Sequence, residues 1–114
     1  MELLRVGNLA DEPLAAAAQF HSDVLPHVSS LLARSKGDLA LVFAPADHTH
    51  HGWRLAAVQE LARAHSPKRV NAIAGQHEEA IAAAADYLAR APGVTGQLLP
   101  VDGTGAAAML YPRR

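Results

Sequence analysis

The sequence predicts an α/β domain, a four-stranded, mainly parallel sheet with three helices, formed as one unit over residues 1–114. Three observations carry this expectation. Four short apolar runs, Leu3–Val6, Leu39–Ala44, Val70–Ala74 and Gln97–Val101, alternate with three stretches of helical periodicity, the order of βαβ units rather than of an all-β or all-α domain. None of the runs shows clean two-residue alternation, and continuous apolar runs between helices read as parallel strands. The chain has 114 residues, half of them hydrophobic and 18% charged, enough to bury a core and too apolar for disorder over most of its length.

The elements follow in order. The first helix is expected to start at Asp11, a good N-cap, with Pro13 in the first turn where its missing N–H is harmless. Leu14, Ala17, Ala18, His21, Val24, Leu25, Val28, Leu31 and Leu32 recur at helical spacing and define its apolar face. Pro26 lies inside this pattern and predicts a kink near Ser22, and Ser35-Lys36-Gly37 ends the helix. The second helix is expected over roughly Gly52 to Ala64 with Leu55, Val58, Leu61 and Ala62 inward. The third runs from about Glu78 to Arg90 with Ile81, Ala84, Ala85 and Leu88 inward. Its acidic start and basic end complement the macrodipole. It is rich in alanine, hence thin, and can approach the sheet closely. Pro92-Gly93 closes it, and residues 110–114 read as a short tail.

Composition narrows the function. Ten basic and eleven acidic side chains give a formal charge of −1, which offers no electrostatic footprint for nucleic acid or anionic lipid. There is no cysteine, so disulfides, thiolate-bound metals and thiol catalysis are excluded. The N-terminus lacks the pattern of a signal peptide and no apolar run approaches the ~18 residues of a membrane helix. A cytoplasmic protein with neither nucleic-acid nor membrane partners is the expectation.

Asp47-His48-Thr49-His50-His51 is the most unusual local cluster. Asp47, His48 and His50 are candidate metal ligands at the carboxyl end of the second strand, where open α/β sheets bind ligands. Loop residues that cap a helix are the plainer reading. His48, His51 and His77 are the candidate acid–base groups of a cleft around residues 44–51 and 74–77. His21 reads as a core or interface histidine bonded to a backbone carbonyl. Trp53, the single tryptophan, reads equally as an interface anchor or as packing. Arg63, His65, Lys68 and Arg69 read as a solvated helix end. The Gly-x-Gly-x-x-Ala pattern starting at Gly103 has only nine residues after Gly105 and opens no βαβ unit, so a turn after the last strand is expected rather than a dinucleotide fingerprint.

Three segments carry a family resemblance. Lys68-Arg69-Val70-Asn71-Ala72-Ile73-Ala74-Gly75, Val94-Thr95-Gly96-Gln97-Leu98-Leu99-Pro100-Val101-Asp102-Gly103, and Leu25-Pro26-His27-Val28 followed by Lys36-Gly37 and an apolar strand resemble the C-terminal half of a short-chain dehydrogenase/reductase. The resemblance implies a truncated Rossmann-like fold whose first strand corresponds to the family's fourth, without the Gly-rich cofactor turn. Matching Leu55-Ala56-Ala57-Val58 to the family's Lys-Ala-Ala-Val places Leu55 at the catalytic lysine and His51 at the catalytic tyrosine. The catalytic serine position falls near Ala44, and Tyr87 and Tyr111 lie outside the catalytic slot. The resemblance therefore implies a degenerate, non-catalytic domain that takes no NAD(P). The alternative is a small oxidoreductase-like nucleotide or metal binder using the cleft at the strand ends.

A partner is also expected. The first strand would be an open edge. Right-handed crossovers in a consecutively ordered sheet put all helices on one face, whereas the resemblance implies that the last helix crosses to the other. Either arrangement leaves one apolar face under-covered, and a homodimer or higher oligomer would cover it. The family's assembly surfaces correspond to Leu14–Leu32, Trp53–His65 and Ile81–Val101. A full-length relative is a further candidate partner.

Overall fold

The structure, a computed structural model, describes residues 1–103 and the backbone of 105–106. The predicted 110–114 tail, with Tyr111, lies outside the described residues. Strands β1 (Glu2–Arg5), β2 (Leu39–Phe43), β3 (Val70–Ala74) and β4 (Leu98–Asp102) lie side by side in chain order and are all parallel. A two-residue strand, β5 (Gly105–Ala106), folds back antiparallel on β4. The glycine-rich segment after β4 is thus the bend of a hairpin, as its brevity predicts.

The first helical region is one rod in three parts, α1 (Pro13–Gln19), a π-helical turn (Phe20–Val24) and α2 (Leu25–Arg34). The N-cap is Glu12, not Asp11. Proline at the first helical position forces the residue before it to be extended, and Glu12 (φ −83°, ψ 129°) accepts hydrogen bonds from the amides of Leu14 and Ala15 at 3.2 and 2.8 Å. The distortion expected from Pro26 is the π turn. Leu25 N–H reaches back five residues to Phe20 O, so the ladder is already displaced where the Pro26 N–H is missing. The extra residue also shifts the helix phase. Val28 and Leu32 are buried as expected, but upstream the buried residues are Ala16 and Phe20, while His21 is exposed and Leu14 is 79% exposed.

Helix α3 (His51–Ala64) and α4 (Glu78–Ala89) complete the fold. The first rod and α3 pack on one face, over Leu4, Val6, Leu39, Leu41, Phe43, Val70, Ala72 and Ala74. Helix α4 packs on the other, where Ala80, Ile81, Ala84 and Leu88 meet Ala40, Val42, Ile73 and Val101. Both β2→β3 and β3→β4 step the same way across the sheet, so helices on opposite faces make the α4 crossover opposite in hand to the α3 crossover. The ordinary right-handed rule is broken there, as the resemblance implies. Strands β2 and β3 are buried on both faces. The expected under-covered face shrinks to the β1 edge, where Leu3 is 38% exposed.

The segments that carry the resemblance hold this sheet together. Asn71 is 1% exposed, donates from Nδ2 to Val94 O and accepts at Oδ1 from Gln97 N–H, both at 3.0 Å. Thr95 Oγ1 accepts from Val70 N–H, and Gly96 takes φ +72°, a conformation that favours glycine. Lys68 and Arg69 are not a solvated helix end. Lys68 Nζ caps the last turn of α2 through the carbonyls of Leu32 and Ser35. Arg69, its side chain 13% exposed, pairs with Asp38 at 2.9 Å and donates to the carbonyls of Leu88 and Ala91 at the end of α4. Carbonyls without partners at two helix ends explain why these cations fold inward. Arg63 is exposed and pairs with Glu60.

Candidate binding cleft at the carboxyl ends of β1 and β2

After β1 and β2 the chain turns away through residues 7–11 and 43–47, and the first turns of α3 close the space between them. The result is a cleft of about 350 Å³, lined by these two loops, His50 and Arg54. Its position follows from topology, since the carboxyl ends of parallel strands are where loops diverge. It shares residues 44–47 and 50 with the cleft expected from sequence but draws its other wall from 7–11, not 74–77. The reason is Gly75. A Cβ there would lie 2.6 Å from Val101 Cγ2 and 3.1 Å from Val101 O, so β4 closes over the end of β3.

Arg54 is the distinctive group. It shares a helix phase with Ala57, Val58 and Leu61, all buried on the inner face of α3, and is itself 6% exposed. Its guanidinium lies over the Phe43 ring, 4.5 Å from the centroid, and Nη1 donates to Ala44 O at 2.9 Å. Nε is buried without a hydrogen-bond partner. Among the described residues no carboxylate pairs with it. Desolvation pulls its pKa down to about 10, so it remains a cation at neutral pH. Beneath the cleft Phe20, Phe43 and Trp53 form an aromatic cluster with centroids 5.5–5.8 Å apart.

His50 is a fastener. Trp53 Nε1–H donates to His50 Nδ1 at 3.1 Å, which leaves the proton on Nε2 to be donated to Asp11 O at 2.8 Å. Both ring nitrogens are committed, and they tie the 7–11 loop to α3. Asp47 caps the short 3₁₀ turn His48–His50. Its carboxylate accepts from the Thr49 hydroxyl and amide, and those bonds hold it below the usual carboxylate range.

The structure brings Asp47 and His50 to the cleft with Arg54 but not the other sequence candidates. His48 is exposed at the start of the 3₁₀ turn and His51 is half-buried at the start of α3; neither lines the cleft. His77 stands beyond the carboxyl end of β3, just before α4, its ring 3.6 Å from where a Cβ on Gly103 would sit, and does not line the cleft. Among the described residues no three His, Asp or Glu side chains are grouped to hold a metal ion. His21 is bonded to a backbone carbonyl as expected, Ala17 O at 2.7 Å, but on the surface. Trp53 is a packing residue of the aromatic cluster. No helix among the described residues is long and apolar enough to cross a membrane.

The family model for SDR-like proteins, described as short chain dehydrogenase-like protein, matches residues 4–101, from β1 into β4. The chain belongs to the SDR-like family. No curated protein and no solved structure matches it. The SDR-like match spans both walls of the cleft, so the Arg54 site lies within the family's frame rather than in an appended segment. Reading the sequence did not single out Arg54. The available signal was its phase, three, four and seven residues before Ala57, Val58 and Leu61, which puts a cation on the inner face of an amphipathic helix.

Proposed function

We propose that this SDR-like domain has no reductase activity of its own and serves as a non-catalytic subunit of a homo-oligomer, in the cytoplasm, without NAD(P). The observation that carries the reading is Leu55. It is half-buried on α3, at the place the family resemblance gives to the catalytic lysine, four residues after His51. Hydride transfer in this family's manner needs a phenol whose pKa a neighbouring ammonium lowers. Leucine carries no charge and His51 no phenol, so these residues do not fit a nicotinamide reaction. The neighbouring cation, Arg54, is turned to Ala44 O and the Phe43 ring instead.

Oligomerisation is supported by where apolar surface remains. A groove of about 540 Å³ runs along the outer side of the first rod and α3, lined by Leu25, Trp53, Ala56 and Leu61 among others, and Leu14 and Leu3 are exposed. Apolar grooves of this kind mark association surfaces. The test is calorimetric titration with NADH and NADPH, alongside an assay for reduction of small carbonyl compounds. The reading expects no binding heat and no turnover. Saturable dinucleotide binding with turnover would overturn it.

A further inference from the structure

We propose that the cleft above Arg54 is a binding site for a small carboxylate, held by the Nε–H edge of the Arg54 guanidinium. Arg54 presents five N–H donors in a planar fork, of which Nη1 donates to Ala44 O. Its Nε–H is buried with no partner, and among the described residues no acidic side chain neutralises the charge. A cation 94% removed from solvent and left without an anion is costly. Arg69, the other arginine turned inward among the described residues, is matched with Asp38. The Phe43 face under the guanidinium fixes its plane, which prepares it for a planar, two-oxygen anion.

The walls restrict the anion. Asp11 and Asp47 also line the cleft, and Asp47 is kept ionised by its bonds to Thr49. Two rim carboxylates repel a dianion more than a monoanion, so a monocarboxylate is favoured over phosphate, with hydrogen-bond donors at the end that faces Asp11 and Asp47. Arg54 and the cleft walls define this site without any dinucleotide, although Ala44, at the family's serine position, lies in it.

The test follows the Nε–H resonance of Arg54 in the ¹⁵N-labelled full chain as sodium acetate is added at constant ionic strength with chloride. Trp53 fluorescence is read in parallel, since the single tryptophan is hydrogen-bonded to the cleft residue His50. The expected result is a saturable shift of Nε–H with acetate, and weaker binding of inorganic phosphate by about tenfold. Arg54→Met should abolish the fluorescence response. Asp11→Asn, at an exposed side chain, should narrow the acetate preference over phosphate. An Nε–H resonance that does not move with acetate, a shift that never saturates, or tighter binding of phosphate than of acetate would overturn the proposal.

Discussion

Arg54→Met removes a buried cation and keeps most of the side chain's stem. The desolvation that brings the Arg54 pKa down to about 10 is worth roughly 3 kcal/mol at 1.36 kcal/mol per pKa unit. Against this stand one charge-assisted hydrogen bond to Ala44 O, about 1.5–3 kcal/mol, and the Phe43 cation–π contact, about 0.5–2 kcal/mol. The opposing contributions are of the same size, and methionine retains the packing on Phe43. The expected change is therefore within about 1 kcal/mol of zero, whereas Arg54→Ala, which also removes the stem, should lose about 1–3 kcal/mol. Urea unfolding followed by Trp53 fluorescence measures both, read as a midpoint shift at constant slope. Alkaline pH adds a sign. Arg54 releases its proton in the folded state first, so between pH 10 and its ordinary value the unfolded chain binds more protons and folding stability rises with pH. The wild type should gain on Arg54→Met across that window. A loss above about 2 kcal/mol for Arg54→Met at neutral pH would refute the reasoning and make Arg54 a structural hub.

Other perturbations reach the rest of the fold. Arg69→Lys should lose about 2–3 kcal/mol by thermal or urea unfolding, because an ammonium cannot serve Asp38 and the carbonyls of Leu88 and Ala91 at once. Gly75→Ala should lose about 1–3 kcal/mol through its clash with Val101, and the double variant with Val101→Ala should be less destabilised than the sum of the singles; strict additivity would contradict the clash. Arg5 binds Glu78 through two bonds of 2.8 Å, which hold Glu78 below the usual carboxylate range. Its contribution is present above the ordinary carboxylate range and lost as pH falls from there through the lowered folded value, so Glu78→Gln should flatten the acid limb slightly while changing neutral stability little. Ala56→Glu, at an exposed groove position, should convert an oligomer to monomer on size-exclusion chromatography with light scattering while leaving the circular dichroism spectrum intact.

Legibility followed the kind of signal each residue leaves. Strands β2 and β3 were visible because both faces are buried, so β2 is a continuous apolar run and β3 is broken only by Asn71, and α4 because its alanines and terminal charges are local. The crossing of α4 to the second face came only from resemblance, since hydrophobic pattern says that a helix is amphipathic but not which side of a sheet it takes. The phase of the first helix was readable after Pro26 and misread before it. A π turn inserts one residue, so a 3.6-residue pattern fitted downstream lands on Ala17 and His21 rather than Ala16 and Phe20. The histidine cluster drew attention by composition, yet His50 is committed to Trp53 and Asp11, a residue 39 positions away. Arg54 escaped notice because arginine is usually exposed, and its burial depends on Phe43 and Ala44, contributed by another element.

The central claim, a non-catalytic SDR-like domain that works as an oligomer, is tested most directly by native mass spectrometry of the untagged protein as purified. The account predicts an oligomer with no mass increment of a nicotinamide dinucleotide. A monomer, or a species that retains such an increment, would contradict it.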